Sequence, residues 1–290
     1  MDKIKLYNII QKTTPPFIFE WFKKSCLYSK TKSAFVGLTK SKYNPIWNTV
    51  TGGILSGHKL FFDTKETWQK EMLDGTYDKF MFDYIDKLDL TGKVAFDIGT
   101  HIGFHSLCFA KIVGDKGRVI SFEPNKTNIE RIKYILGENS DLAKRIQLCE
   151  VALSDKNGQM DLVCTDNVEN GTSSGGFLDQ ASTLFDKKGY EMHGGFKRYQ
   201  VKTVRLDDIE KQLGVKEKPY LIKMDTEGAE GLILDGALEF IRKYSPIILM
   251  EVHSIDNMFQ VMNTFLKCDY EVELLKKELD GRCFLAAKKR

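Results

Sequence analysis

The sequence predicts an α/β fold: a mostly parallel sheet of seven strands with helices on both faces, preceded by a helical and β-hairpin extension. Two observations carry this. From Val94 onward, short apolar runs alternate with segments of helical spacing, and such alternation means βαβ units and a doubly wound sheet. Asp97, Glu123, Asp225 and His253 then fall at the carboxyl ends of predicted strands, which is where open sheets of this kind bind ligands.

The extension spans residues 1–90 and the main domain residues 91–290. Residues 1–45 read as helical. Trp47–Asp63 turns to β, with Gly52-Gly53 and Ser56-Gly57-His58 as turn signals. Glu66–Leu73 and Tyr77–Leu88 carry helical apolar spacing. In the main domain, Val94–Asp97 is a strand and Phe104–Val113 a helix stopped near Gly114. Arg118–Glu123 is a strand ended by Pro124, Lys126–Gly137 a helix, and Ile146–Leu153 the third strand. Tyr220–Asp225 is the fourth strand, followed by a helix from about Ala229 to Tyr244. Pro246–His253 is the fifth, followed by a helix to about Lys267. Tyr270–Lys276 and Cys283–Lys288 close the sheet.

Between the third and fourth strands lies an insertion, roughly residues 157–205. Its Gln159–Cys164 and Arg198–Val204 stretches predict β structure. Long loops at this face of a sheet are lids or substrate loops, so Thr172, Ser173, Ser174 and Thr183 are its expected lid residues.

At 42% hydrophobic and 29% charged, the chain has the composition of a globular protein with a core large enough to need no disulfides. The six cysteines form no C-x-x-C pair and no metal-ligand spacing. They read as reduced thiols, and with no apolar run approaching the roughly 20 residues of a membrane span a cytoplasmic protein is expected. Residues 1–42 hold nine lysines against Asp2 and Glu20, so the rest of a chain with net charge +3 is negative. Nucleic-acid binding by the main domain is therefore not expected. The basic segment also carries Phe17, Phe19, Trp21 and Phe22, a pattern that fits either a helix packed by its aromatics or a peripheral membrane or protein contact.

The first strand runs into Asp97-Ile98-Gly99-Thr100-His101-Ile102-Gly103 and then a helix. Glycines permit a tight turn and close backbone approach to a ligand, and the helix N-terminus favours an anionic group such as a carboxylate. Gly99 and Gly103 are four apart, which is not the G-x-G-x-x-G of a dinucleotide site. Glu123 ends the next strand, 26 positions after Asp97, where an acid accepts ribose hydroxyls. A turn for an amino-acid end and an acid for a ribose together match S-adenosylmethionine (SAM), with S-adenosylhomocysteine as product.

DIGTHIGFHSL, FEPNKTN, VALSDKNG, RLDDI, IKMDTEGAE and PIILMEVH occur in an order and spacing that resembles the FkbM-type methyltransferases. The resemblance implies a Rossmann-like class I methyltransferase fold and, mostly, O-methylation of sugars and other secondary metabolites. Carried over residue by residue, it places Asp97, Gly99, Thr100, His101, Gly103 and Ser106 around the methionine end, Glu123 and Asn125 at the ribose, and Val151, Ala152 and Asp155 at the adenine. Thr100-His101 stands where the family usually has Ala-Asn.

A hydroxyl acceptor must lose a proton, and a positioned base adds ~10²–10⁴-fold. Asp225 is expected at the methyl-transfer centre, and His253 as general base because an imidazole titrates at ~6.5. Glu227 is the competing base. A divalent cation held by Asp225, Glu227 and Glu251 is not favoured, since their spacing matches no recognised cage. The expected acceptor is a small molecule, sugar, glycan or glycosylated metabolite. The alternatives are N-methylation of an amine or peptide, a nicotinamide-dependent oxidoreductase, which the glycine spacing disfavours, and a non-catalytic module on the same fold, against which Asp225 and Glu227 argue.

Overall fold

In the computed structural model, residues 44–165, 176–178, 196–278 and 281–290 are described. The basic segment at the N-terminus and Thr172, Ser173, Ser174 and Thr183 lie outside them. Residues 44–290 form one compact unit. In chain order its elements are β1 (Ile46–Thr49), β2 (Lys59–Phe62), α1 (Thr67–Asp74), α2 (Lys79–Ile85), β3 (Val94–Ile98), α3 (Phe104–Val113), β4 (Arg118–Phe122), α4 (Lys126–Glu138), α5 (Ser140–Ala143), β5 (Ile146–Cys149), β6 (Ala152–Leu153), β7 (Gly158–Thr165), β8 (Phe177–Leu178) and β9 (Phe196–Val204). A 3₁₀ turn (Leu206–Asp208) leads to α6 (Ile209–Leu213), β10 (Leu221–Met224), α7 (Glu230–Asp235), α8 (Leu238–Tyr244), β11 (Ile247–Val252), α9 (Ile255–Lys267), β12 (Tyr270–Lys277) and β13 (Cys283–Lys289).

The main sheet has the order β12-β13-β11-β10-β3-β4-β5. Its five central strands are parallel, and β13 and β12 are antiparallel additions at one edge. The predicted seven-stranded, mostly parallel sheet is thus present. Neighbouring residues of a central strand serve opposite layers, as the two-residue period of a strand requires. Phe96 packs in a layer with Ile233, Phe240 and Phe265 from α7, α8 and α9. Ala95 packs in the other with Leu107 and Phe109 of α3. Helices therefore cover both faces, which is why β3 and β10 read as apolar runs, each interrupted by one charge, Asp97 and Lys223. Leu60, Phe62, Met72, Phe82 and Ile85, from residues 44–90, share the α3 layer.

Two elements differ from the sequence reading. The expected third strand, Ile146–Leu153, is split. Val151 N–H turns back to donate to Cys149 C=O at 2.9 Å, so β5 stays in the main sheet while β6 joins a second sheet of order β6-β9-β7-β8. That sheet holds the β structure expected of the insertion, with β7 paired antiparallel to β9 along the whole length of β7. The expected single helix Ala229–Tyr244 is also split, at Gly236. Its C=O leaves the helical ladder to accept from Asp207 N–H at 3.0 Å, and a Cβ at Gly236 would lie 2.1 Å from Ser154 C=O. The break seats the second sheet against the helical layer.

The described cysteines, Cys108, Cys149, Cys164, Cys268 and Cys283, are buried free thiols. Among the described residues no helix is long and apolar enough to cross a membrane.

Gly236 and Gly137 make a two-way test. Gly236→Ala drives a methyl into fixed backbone and is expected to lower stability by about 1–3 kcal/mol. Gly137 lies in α4 with open space where a Cβ would stand, so Gly137→Ala is expected to raise stability by about 0.5–1 kcal/mol. Urea unfolding midpoints of the two variants read both.

Candidate active site

The carboxyl ends of β3, β4, β10 and β11 open on a cavity of about 680 Å³. One side of it is built by the turn after β3. Gly99 has φ +80°, and any Cβ there would meet Asp225 C=O at 1.8 Å, so glycine is required twice over. Thr100 Oγ1 donates to Asp97 C=O at 3.0 Å, closing the turn. His101 also lies in the left-handed region, φ +54°, where histidine is enriched among non-glycine residues. Its backbone N–H donates to Glu123 Oε2 at 2.8 Å. Its ring sits 6.0 Å from Trp68. Burial first, and then the Arg131 charge, lower the ring's pKa to about 4, so the imidazole is neutral. Its Nε2 is buried with no hydrogen-bond partner among the described residues.

Asp97 is fully buried behind this turn. Ser106 Oγ donates to its Oδ2 at 2.5 Å and lies 2.7 Å from Ser121 Oγ. Asp97, Thr100, Gly103 and Ser106 thus form the scaffold of the turn, while Gly99 and His101 line the cavity itself. Below it, Lys223 of β10 places a buried ammonium 3.2 Å from Gly99 C=O, 3.6 Å from Asp97 Oδ1 and 3.7 Å from Asp225 Oδ2. Burial alone would lower its pKa, but Asp225 and Asp97 outweigh that and raise it. The sequence reading passed over Lys223. The signal was a lone charge inside the apolar run LIKM.

Glu123 follows β4 and lines the cavity. Its Oε1 accepts from Asn125 N–H at 2.9 Å and Asn128 Nδ2 at 3.3 Å. Burial pushes its carboxyl up to about 7 against these donors. Asn125 caps α4 by accepting from Thr127 N–H. Val151 and Ala152 line the same end, joined by Leu162 of β7, Leu178 of β8 and Ile233 of α7. These last three, with Asn128, were not foreseen. Asn128 had a readable signal, one helical turn after Asn125. Asp155 is not part of the cavity lining and accepts from Ser154 Oγ at 3.0 Å.

The opposite end is acidic. After β10 the chain makes a tight turn in which Glu227 has φ +54° and Gly228 φ +99°. Glu230 holds this turn: its Oε1 accepts from Thr226 N–H (3.1 Å), Thr226 Oγ1 (3.0 Å) and Gly228 N–H (3.1 Å). The same oxygen lies 3.0 Å from His253 Nδ1. A carboxylate only accepts, so Nδ1 donates and the ring is fixed with Nε2 toward the cavity. From Nε2, Asp225 Oδ1 is 3.6 Å away, Glu227 Oε2 3.6 Å and Glu251 Oε1 3.8 Å. Burial alone would lower the His253 pKa, but Glu230, Asp225 and Glu227 overcome it and raise it to about 10. The imidazole is thus held cationic, unlike the ordinary histidine that the sequence reading took as its starting point. Burial resists the charge on Asp225, yet Lys223 and His253 keep its carboxyl below the usual range. Burial raises Glu227, and it raises Glu251 to about 8 even though Arg282 lies 2.7 Å from it.

Two remote segments complete the wall. Tyr77, Asp78 and Phe80 come from the turn into α2, and Lys276 and Phe284 from the β12–β13 hairpin. Asp78 is tied to His105 Nε2 at 3.1 Å, and Lys276 Nζ lies over the rings of Phe80 and Phe284. Of the expected site residues, the fold therefore brings Gly99, His101, Glu123, Asn125, Val151, Ala152, Asp225, Glu227 and His253 to one cavity.

Residues 97–272 match the methyltransferase FkbM domain. The 2-O-methyltransferase NoeI of Sinorhizobium fredii is 29% identical over 163 residues, which are 55% of this chain and 63% of that protein. The chain thus spans under two thirds of that relative's length. Among solved structures, the FkbM methyltransferase of Methylobacillus flagellatus aligns at 19% identity with a TM-score of 0.47, covering 69% of this chain and 44% of the other. A SAM-dependent O-methyltransferase of Thermotoga maritima aligns at 11% identity with a TM-score of 0.45, covering 86% and 78%. With the family's domain matched over more than half of its length, the chain belongs to the FkbM methyltransferase family.

Proposed function

We propose that this protein transfers the methyl group of SAM to a hydroxyl of a sugar, glycan or glycosylated metabolite. The observation that carries the reading is the cavity itself, which sets Glu123 beside the apolar Val151 and Ala152 and also holds the carboxylates of Asp225, Glu227 and Glu251. The NoeI relative, a 2-O-methyltransferase, supports oxygen as the acceptor atom.

In this reading the methionine end of SAM lies on the Gly99–Gly103 turn, facing the N-terminus of α3. Glu123 accepts from the ribose hydroxyls, and the adenine lies among Val151, Ala152, Leu162 and Leu178. The sulfonium methyl then points toward Asp225. The acceptor hydroxyl gives its proton to a carboxylate, its oxygen bonds to the methyl carbon, and the carbon–sulfur bond breaks to leave S-adenosylhomocysteine. Alignment of the reacting atoms within ~3–3.5 Å contributes ~7–11 kcal/mol. We assign the proton to Glu227, whose backbone turn puts it in the cavity wall and whose burial makes it more basic than a free carboxylate. Asp225 and His253 position it and the acceptor.

Glu123→Ala is expected to weaken SAM binding at least tenfold by calorimetry, and unchanged binding would remove the ribose assignment. The carboxyl must be ionised to accept two hydroxyls, and its pKa stands at about 7. Wild-type affinity is therefore expected to climb as pH rises from 6 to 8 and to fall below 7, while Glu123→Gln flattens that profile. A profile that is the same in both proteins would contradict it.

Glu227→Gln is expected to lower kcat by ~10²–10⁴-fold with SAM affinity unchanged. Turnover of a panel of sugars and amines with labelled SAM reads this effect, and transfer to amines alone would replace the oxygen reading.

A further inference from the structure

The acidic end of the cavity gathers three candidate donor groups. Glu251 and His253 are two residues apart at the end of β11 and so face the same side of the sheet. Asp225 follows the end of β10, the adjacent parallel strand, with Met224 in register with Met250. One donor atom from each of Asp225, Glu251 and His253 falls within 4.8 Å of the others.

The separations from His253 Nε2 to the Asp225 and Glu251 oxygens, 3.6 and 3.8 Å, are longer than direct hydrogen bonds. They are close to the roughly 3.0–3.5 Å between neighbouring ligands when each lies about 2.1 Å from a shared ion. The imidazole side chain is only 2% exposed, and its other nitrogen is held by Glu230. Metal-ligating histidines are oriented in this way, by a carboxylate on the far ring nitrogen. Glu230 is itself fixed by three donors of the turn after β10, so the ring cannot swivel. Lys223 lies beside Asp225 Oδ2, which leaves Oδ1 facing His253, and Arg282 donates to Glu251 Oε1, an oxygen it would share with an ion. What remains is an inner space ringed by three carboxylates and one ring nitrogen, open to the cavity.

We propose that Asp225, Glu251 and His253 bind a divalent first-row cation at the acceptor end of the cavity, with Glu227 beside it. The sequence alone groups Asp225, Glu227 and Glu251; the fold puts His253 in place of Glu227 among the nearest donors. Two carboxylates with one imidazole suit Mn²⁺ or Fe²⁺ better than an all-oxygen calcium cage. A cation there displaces the proton that His253 Nε2 otherwise carries and leaves positions for an acceptor oxygen, whose proton it makes easier to remove, with Glu227 beside it to receive that proton. The proposal rests on the cavity being the methyl-transfer site, but binding of the ion is independent of turnover.

The test is titration of Mn²⁺ into the EDTA-treated full-length protein, with free Mn²⁺ read by electron paramagnetic resonance and SAM binding read in parallel by calorimetry. Uptake of one Mn²⁺ per chain is expected, weakened at least tenfold in Glu251→Gln and in His253→Gln, and about 10–100-fold in Glu230→Gln, with SAM still bound. Wild-type protein that binds SAM but takes up none of Mn²⁺, Mg²⁺ or Zn²⁺ overturns the proposal. So does uptake that is unchanged in both Glu251→Gln and His253→Gln. Loss of SAM binding with Mn²⁺ uptake intact would instead overturn the methyl-transfer reading and leave the metal site standing.

Discussion

The ammonium of Lys223 joins the two halves of the site. It is buried at the end of β10, with Asp97 and Asp225 on either side and Gly99 C=O above it. Asp97 holds the turn after β3 through Ser106 and the closing bond of Thr100, while Asp225 belongs to the acidic end. One cation therefore neutralises a carboxylate from each end and fixes their spacing. Removing one partner of a buried pair costs about 3–5 kcal/mol because the other is left uncompensated, so neither end can shift without the other. Gly99 adds a steric version of the same constraint, since the turn and Asp225 C=O touch where a side chain would stand.

Much of this was readable along the chain. The strands were visible as apolar runs because the central ones are covered on both faces, and α3 was found to the residue because glycines bound it at both ends. Strand ends pointed to Glu123, Asp225 and His253, since a parallel sheet sends its polar residues there. What the chain did not show is convergence. Leu162 and Leu178 reach the cavity beside Glu123 only because β6 leaves the main sheet after Cys149, a departure set by a turn and not by hydrophobic pattern. Tyr77 and Phe80 reach the acidic end from residues 44–90, and Lys276 and Phe284 from the last hairpin. No local signal ties such distant segments to one cavity.

His253 shows the same limit in electrostatic form. Its sequence position says that it lies at a strand end, but its charge is set by four carboxylates from three elements: Asp225 after β10, Glu227 and Glu230 in the turn and first residue of α7, and Glu251 in β11. An isolated imidazole in that position would serve as a base. Encircled by carboxylates, with no cation among them, it is instead held toward its charged form. Glu230, the first residue of α7, enforces this through the bond to Nδ1.

Thr100-His101 differs from the pattern that the sequence reading expects of the family, and the structure shows how the turn accommodates His101. The contact from this position to Glu123 is made by backbone N–H, which every residue except proline supplies. The required left-handed conformation is one that histidine adopts more readily than most side chains. The ring is kept neutral, and it leans toward Trp68 of α1, so its packing partner comes from the segment that precedes the main sheet. The substitution is thus absorbed by two features outside the motif, a backbone bond on one side and an aromatic neighbour on the other. It links the turn after β3 directly to residues 44–90, which also wall the acidic end of the cavity. A change in that segment, far from the glycine turn in sequence, therefore reaches both ends of the cavity through Trp68 on one side and Tyr77 and Phe80 on the other.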